Sequence, residues 1–231
     1  YDSEEYFSWL KDQGYPDELC NHEAIHTPAV PEEGLGEHLP CHFPAHYSAE
    51  HSECRYITDK VREYIRTHGI RARDDDSMGW VLSLNYLKPH PPNVNCHPYH
   101  RMYDPDTMPV PERRADELDN PHPYLREAIG EGQHRDERHL REFMACYYGM
   151  VTEVDDNLGL LFDELKTTGQ WDDTLIVFSS DHGESLGEHY LTGKGHCFEG
   201  AMHIPGIVRD PHSPGGRQRD GFVESIDLGP T

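Results

Sequence analysis

Four consecutive apolar residues, Leu175-Ile176-Val177-Phe178, run directly into Ser179-Ser180-Asp181-His182-Gly183. A run this short, β-branched at its centre and followed by small polar residues, reads as a strand covered on both faces, as in a parallel sheet. Open α/β sheets place their ligands beyond the carboxyl ends of their strands. Asp181 and His182 fall at that end, and Gly183 behind them lets the backbone turn sharply. A carboxylate oxygen beside an imidazole nitrogen makes half of a divalent-cation site. The same tripeptide also suits an ordinary turn. What favours a site is the continuation from Glu184 to Gly195, polar, glycine-punctuated and rich in ionisable groups, because loops of that kind on a rigid strand carry function.

The chain of 231 residues is long enough for one substantial α/β domain and short for two. With 43 acidic against 20 basic residues, its formal charge of −23 repels phosphate backbones and anionic lipid surfaces, so neither nucleic acid nor membrane is an expected partner. Most of the 18 histidines are scattered through polar loops without a repeated spacing and read as solvated. The six cysteines form no C-x-x-C pair and leave the compartment open, with the cytoplasm as the expectation. No stretch reaches the length of a membrane span.

Taken in order, residues 1–50 read as a loop-rich lead-in, interrupted by a short helix over Glu4–Gln13 with Tyr6, Phe7, Trp9 and Leu10 on one face. Residues 51–231 form the expected core. Ile57, Val61, Tyr64 and Ile65 recur at helical spacing, predicting a helix over about 49–68 with Ser48 as its cap and Gly69 at its end. The charged turn Arg71–Ser77 leads to a second core strand, Trp80–Leu87, which stops at Lys88-Pro89-His90-Pro91-Pro92. Those prolines end the ladder and present Lys88 and His90 from a stiff loop past a strand end, the same kind of position as Asp181 and His182. Residues 91–135 make a long proline-laden segment, functional or disordered by its length. A stripe of Leu140, Phe143, Met144, Tyr147, Val151, Val154, Leu158, Leu161 and Leu165 predicts a long helix ended by Gly169. Ile204–Arg209 reads as a further short strand, at an edge because of Pro205. The pattern as a whole implies a mainly parallel sheet sandwiched by helices.

Several stretches together resemble the sulfatases and, more narrowly, the phosphonate monoester hydrolases of the alkaline phosphatase superfamily. They are Tyr147–Gly159, Gly169–Thr174, Ser180–His189, Lys88–Pro92, Lys194-Gly195, Ile204–Pro211 and Ser225–Thr231. The resemblance implies an alkaline-phosphatase-like α/β fold. It makes Asp181 and His182 ligands of one divalent ion, Ca²⁺ or Mn²⁺, and His90 and Lys194 the catalytic contacts to the transferred group and leaving oxygen, with Lys88 ranked below them. It also implies a formylglycine nucleophile from a Cys/Ser-x-Pro-x-Arg motif, which does not occur here: in Cys41-His42-Phe43-Pro44 the proline comes one position late and the arginine is missing. The sequence is therefore expected to be the carboxyl part of a catalytic domain, truncated at both ends and inert alone.

The chemistry agrees with the resemblance. A sulfate or phosphonate ester needs positive charge where oxygens gather negative charge, and a metal, Lys194 and His90 provide it. The expected substrate is a small anionic ester, with a sulfuric ester first and a phosphonate monoester or phosphodiester second. A homo-oligomer is an open expectation. The competing reading from another class is a non-catalytic binding module that kept the fold without the nucleophile.

Overall fold

The computed structural model describes residues 3–69, 79–130 and 136–229. Its helices are α1 (Ser3–Asp12), α2 (His22–Ile25), α3 (Glu53–Tyr64), α4 (Pro123–Gly130), α5 (Glu137–Thr167) and α6 (Glu199–Met202); its strands are β1 (Ile176–Ser179), β2 (Ser185–Leu186), β3 (Thr192–Gly193) and β4 (Gly206–Arg209). They divide into two compact units, one of residues 1–110 with 135–168 and one of residues 111–134 with 169–231. No helix of the described residues is long and apolar enough to cross a membrane.

The first unit is built on aromatic packing. Tyr6, Phe7 and Leu10 of α1 enter a buried cluster with Cys20, Ile25, Tyr47, Tyr56, Val94, Cys96 and Tyr99. The first fifty residues therefore supply core rather than the surface lead-in expected of them. Their prolines and glycines hid this, because beyond the face of α1 the contribution comes from single residues, Cys20, Ile25 and Tyr47, spread without a period. Tyr6 and Tyr47 direct their hydroxyls to the carbonyls of His51 (2.8 Å) and Ile25 (3.1 Å), so that each ring is buried with its polar tip satisfied.

α3 begins at Glu53, with the Ser52 hydroxyl accepting the Arg55 N–H at 3.2 Å. The cap thus lies four residues beyond the expected Ser48, which precedes a separate short turn at Ala49–His51. α5 spans 31 residues, capped by Asp136 through the Arg138 N–H at 2.8 Å. Arg62 of α3 and Arg66 in the turn just after it tie to Glu164 of α5 at 3.1 and 2.6 Å.

The buried face of α5 turns away from the expected stripe in its second half. Val151 is 45% exposed, whereas Glu153 is fully buried and Asn157 is buried beneath it. Two features account for the turn. Gly149 lets the chain at Tyr99 approach so closely that a Cβ there would collide with the Tyr99 carbonyl oxygen, and Lys88 meets Glu153 at 2.6 Å. A buried charge is tolerable only with a partner of this kind.

The second unit contains both sheet ladders, and each is antiparallel: β1 with β4 in the register Val177↔Val208, and β2 with β3 through Ser185↔Gly193. The mainly parallel sheet does not form among the described residues. Trp80–Leu87 alternates in exposure as a strand would, but it joins no ladder. β1 is not covered on both faces either, since Leu175 is 61% and Val177 46% exposed. With one neighbour strand and no layer over it, an apolar run cannot be told from a buried one by composition alone. Arg209 fastens the β1–β4 ladder to the turn before it, donating to the carbonyls of Trp171 (2.7 Å) and Thr174 (2.8 Å) with its guanidinium 3.9 Å over the Trp171 ring. The expected turn Arg71–Ser77 lies outside the described residues.

Lys88→Met should cost about 3–5 kcal/mol in urea denaturation, because it leaves the Glu153 carboxylate buried and unpaired. The double variant Lys88→Met/Glu153→Leu should recover most of that loss; two single losses that simply add would show that the pair does not interact.

Candidate metal and anion site

In the second unit β1 carries Asp181 and His182 just past its carboxyl end. Asp181 Oδ1 accepts the His182 backbone N–H at 3.0 Å and the Ser180 hydroxyl at 3.4 Å. Its other oxygen, Oδ2, lies 3.5 Å from His182 Nε2, on a side chain that is 84% exposed. Slight burial pushes the Asp181 carboxyl up, but the adjoining His182 and these hydrogen bonds outweigh it and hold the group below its ordinary pKa.

The imidazole tautomer follows from its partners. His182 Nδ1 stands 2.9 Å from the Gly183 carbonyl oxygen, which can only accept, so Nδ1 carries the proton. Nε2 is left with its lone pair, into which the Lys194 ammonium donates at 2.7 Å. A neutral imidazole nitrogen and a carboxylate oxygen at this separation can both reach one cation at about 2.0–2.6 Å, with Lys194 giving up its hydrogen bond to Nε2 when the ion takes the lone pair. The donor set therefore fits a divalent ion as a half-site of two ligands.

Lys194 follows β3, between Gly193 (φ 81°) and Gly195 (φ 100°), whose left-handed backbone lets the chain fold its lysine back. The loop before it is held at several points. His189 and Tyr190 adopt left-handed φ values of 54° and 62°, unfavourable for residues with side chains. They are kept there by the His189 N–H to the Glu112 carbonyl (2.9 Å), His189 Nδ1 to Glu117 Oε1 (2.7 Å), and Arg113 Nε to the Gly187 carbonyl (2.6 Å). The Tyr124 hydroxyl donates to the Gly195 carbonyl. Sequence reasoning missed Arg113, Glu117 and Tyr124; the only signal was that their long segment looked too long to be idle.

His90 belongs to the first unit, exposed on the loop that begins at Lys88. Its Nδ1 donates to the Pro91 carbonyl at 2.6 Å, leaving Nε2 as the acceptor. Lys88 and His90 line a cavity of about 20 Å³ with Tyr47, Glu53 and Val94. Burial works against the Lys88 charge, yet the Glu153 carboxylate prevails and holds the ammonium above the ordinary lysine pKa. Among the described residues, the one grouping of three ligand-competent side chains also lies in this unit: His38, His42 and Glu142. The structure thus gathers Asp181, His182 and Lys194 in the second unit and sets His90 beside Lys88 in the first.

The profile of the sulfatase family matches residues 3–231. The chain belongs to the sulfatase family. It is 36% identical over 253 aligned residues to a multifunctional alkaline phosphatase superfamily protein of Trinickia caryophylli, covering 99% of this chain and 46% of that protein. To the choline-sulfatase of Rhizobium meliloti it is 32% identical, over 70% of this chain and 31% of the relative. Among solved structures, the phosphonate monoester hydrolase of Silicibacter pomeroyi superposes with a TM-score of 0.75 at 32% identity, over 90% of this chain and 41% of that one. That of Agrobacterium radiobacter gives 0.74 at the same identity and coverage. The chain spans less than half the length of these relatives. Its fold is that of the alkaline-phosphatase-like sulfatases, and the proteins it resembles include a choline-sulfatase and phosphonate monoester hydrolases by name.

A Cβ on Gly183 would run into the Gly200 carbonyl oxygen, where the Gly183 N–H already donates to Ala201 at 2.8 Å. Gly183→Ala should therefore cost about 1–3 kcal/mol through overpacking. Gly206→Ala, with nothing within 4 Å of the new methyl, should stay within about 0.5 kcal/mol. Equal melting temperatures for the two variants would count against this packing.

Proposed function

We propose that the parent protein hydrolyses small anionic esters, sulfuric esters first, with Asp181 and His182 holding a divalent ion, Ca²⁺ or Mn²⁺. The observation that carries the reading is the juxtaposition of Asp181 Oδ2, the Nε2 lone pair of His182 and the Lys194 ammonium within one loop cluster. Carboxylate suits either ion, and the imidazole nitrogen tilts the choice to Mn²⁺. When bound, such an ion supplies a Lewis acid for a non-bridging oxygen of the ester.

The chain's own residues provide the rest. Lys194, a compact cation on a glycine-flanked turn, offsets the negative charge that collects on the transferred group. His90, with its Nδ1 proton engaged by Pro91, presents Nε2, which can carry a proton to the departing alkoxide or phenoxide. Lys88 is locked to Glu153 and takes a supporting part by stiffening the His90 loop. The nucleophile would be a formylglycine; no Cys/Ser-x-Pro-x-Arg occurs in these 231 residues.

A phosphonate monoester or phosphodiester substrate is the second reading, favoured by the likeness to two phosphonate monoester hydrolases at TM-scores of 0.75 and 0.74. The parent enzyme should be assayed on an aryl sulfate, an aryl phenylphosphonate and a phosphodiester. Asp181→Asn should lower kcat/KM on the best of these by on the order of 100-fold or more, in proportion to lost metal occupancy. Full activity in that variant would remove the metal assignment. No hydrolysis of any of the three by metal-loaded full-length protein would favour a binding module instead.

A further inference from the structure

We propose that His38, His42 and Glu142 form a second metal centre, of zinc type, separate from the Asp181–His182 pair. Their ligand atoms all lie within 4.8 Å of one another. His38 Nδ1 is 2.6 Å from Glu142 Oε1, across 104 residues of sequence. Two imidazoles and a carboxylate are a donor set that zinc uses with a fourth position left open. Ca²⁺, which prefers oxygen ligands throughout, is disfavoured by the same set.

The elements that present these groups are fixed. Glu142 sits on α5 with its side chain 5% exposed, and its Oε2 accepts the Leu39 backbone N–H at 2.9 Å. That amide orients the carboxylate as an outer-shell partner of a metal ligand does. His42 closes the short turn Pro40–His42, one helical turn beyond His38.

The site opens on space for a further ligand. Glu142 and His42 line a cleft of about 300 Å³ together with Arg101 and Tyr103, room enough for a metal-bound water at the open fourth position. Two charges oppose a cation: Arg138, 3.8 Å from Glu142 Oε1, and Arg101 in the cleft wall. Arg138 is 49% exposed and Arg101 lies at the surface, so water screens both.

The rings of His38 and His42 stack at 3.8 Å and 9°, which puts their in-plane lone pairs in two nearly parallel planes. One ring must turn out of the stack for both nitrogens to meet a single ion, and the ring protons of the pair, those of His42 included, should report it.

The test uses the full 231-residue chain carrying Asp181→Asn and His182→Gln, so that the pair after β1 contributes nothing. Stripped of metal and titrated with Zn²⁺ in a calorimeter, it should bind one equivalent, with the His42 ring protons shifting in NMR over the same range. Adding His42→Ala should weaken binding on the order of 100-fold or more, beyond the 10–100-fold that loss of an outer-shell partner costs. Glu142→Gln leaves one acceptor oxygen where the carboxylate serves both the Leu39 amide and His38, so it also disturbs the local fold; His42→Ala is the deciding variant because His42 is only half-buried. No saturable Zn²⁺ binding, or one-equivalent binding unchanged by His42→Ala, would overturn the proposal. Neither result bears on the Asp181–His182 reading, which those background substitutions have set aside.

Discussion

Glu153 has no exposed surface and sits in the middle of a 31-residue helix, so the first unit depends on what neutralises it. Lys88 does so at 2.6 Å. The pair turns the second half of α5 away from its most apolar stripe and anchors the loop that carries His90. A hydrophobic pair of the same volume would stabilise the unit as well or better. An ionic pair instead sets one register between the loop and the helix, since neither partner can slide without exposing the other as a bare buried charge.

In the second unit the corresponding constraint is a chain of protons. The Gly183 carbonyl requires the proton on His182 Nδ1, and Nε2 then has to accept, which it does from Lys194. Asp181 repeats the arrangement, with Oδ1 committed to backbone and Ser180 and Oδ2 turned toward the imidazole. Acceptors for a cation are thus set out by hydrogen bonds internal to a few residues. The strained turn at His189 and Tyr190, pinned by Arg113, Glu117 and the Glu112 carbonyl, keeps Lys194 within reach of them.

The long elements of this chain were legible in its sequence and the packing was less so. The helices α1, α3 and α5, the short strand Gly206–Arg209 and the strand end at Asp181 follow from periodicity and from punctuation by glycine and proline, whereas α4 lies in the segment read as a loop and α2 and α6 are too short to show a period. The parallel sheet does not follow, because an apolar run states that a strand is present without naming its neighbours; here β1 meets β4 head to tail. The burial of Glu153 was invisible for a related reason: a charge on a helix reads as solvent-facing until its partner, 65 residues away, is known. The core role of residues 6–25 was masked by composition, and His38 and His42 were set aside among scattered histidines because Glu142, their common neighbour, is 104 residues from His38.

The central claim is that His182 Nε2 and Asp181 are direct ligands of the divalent ion. Pulsed electron paramagnetic resonance on the full-length parent protein, loaded with one equivalent of Mn²⁺ and labelled with ¹⁵N-histidine, reads this directly. The expected spectrum shows the hyperfine coupling of one directly bound imidazole nitrogen, lost in His182→Asn and kept in His42→Ala. A coupling that survives His182→Asn, or bound Mn²⁺ with no nitrogen in its shell, would contradict it.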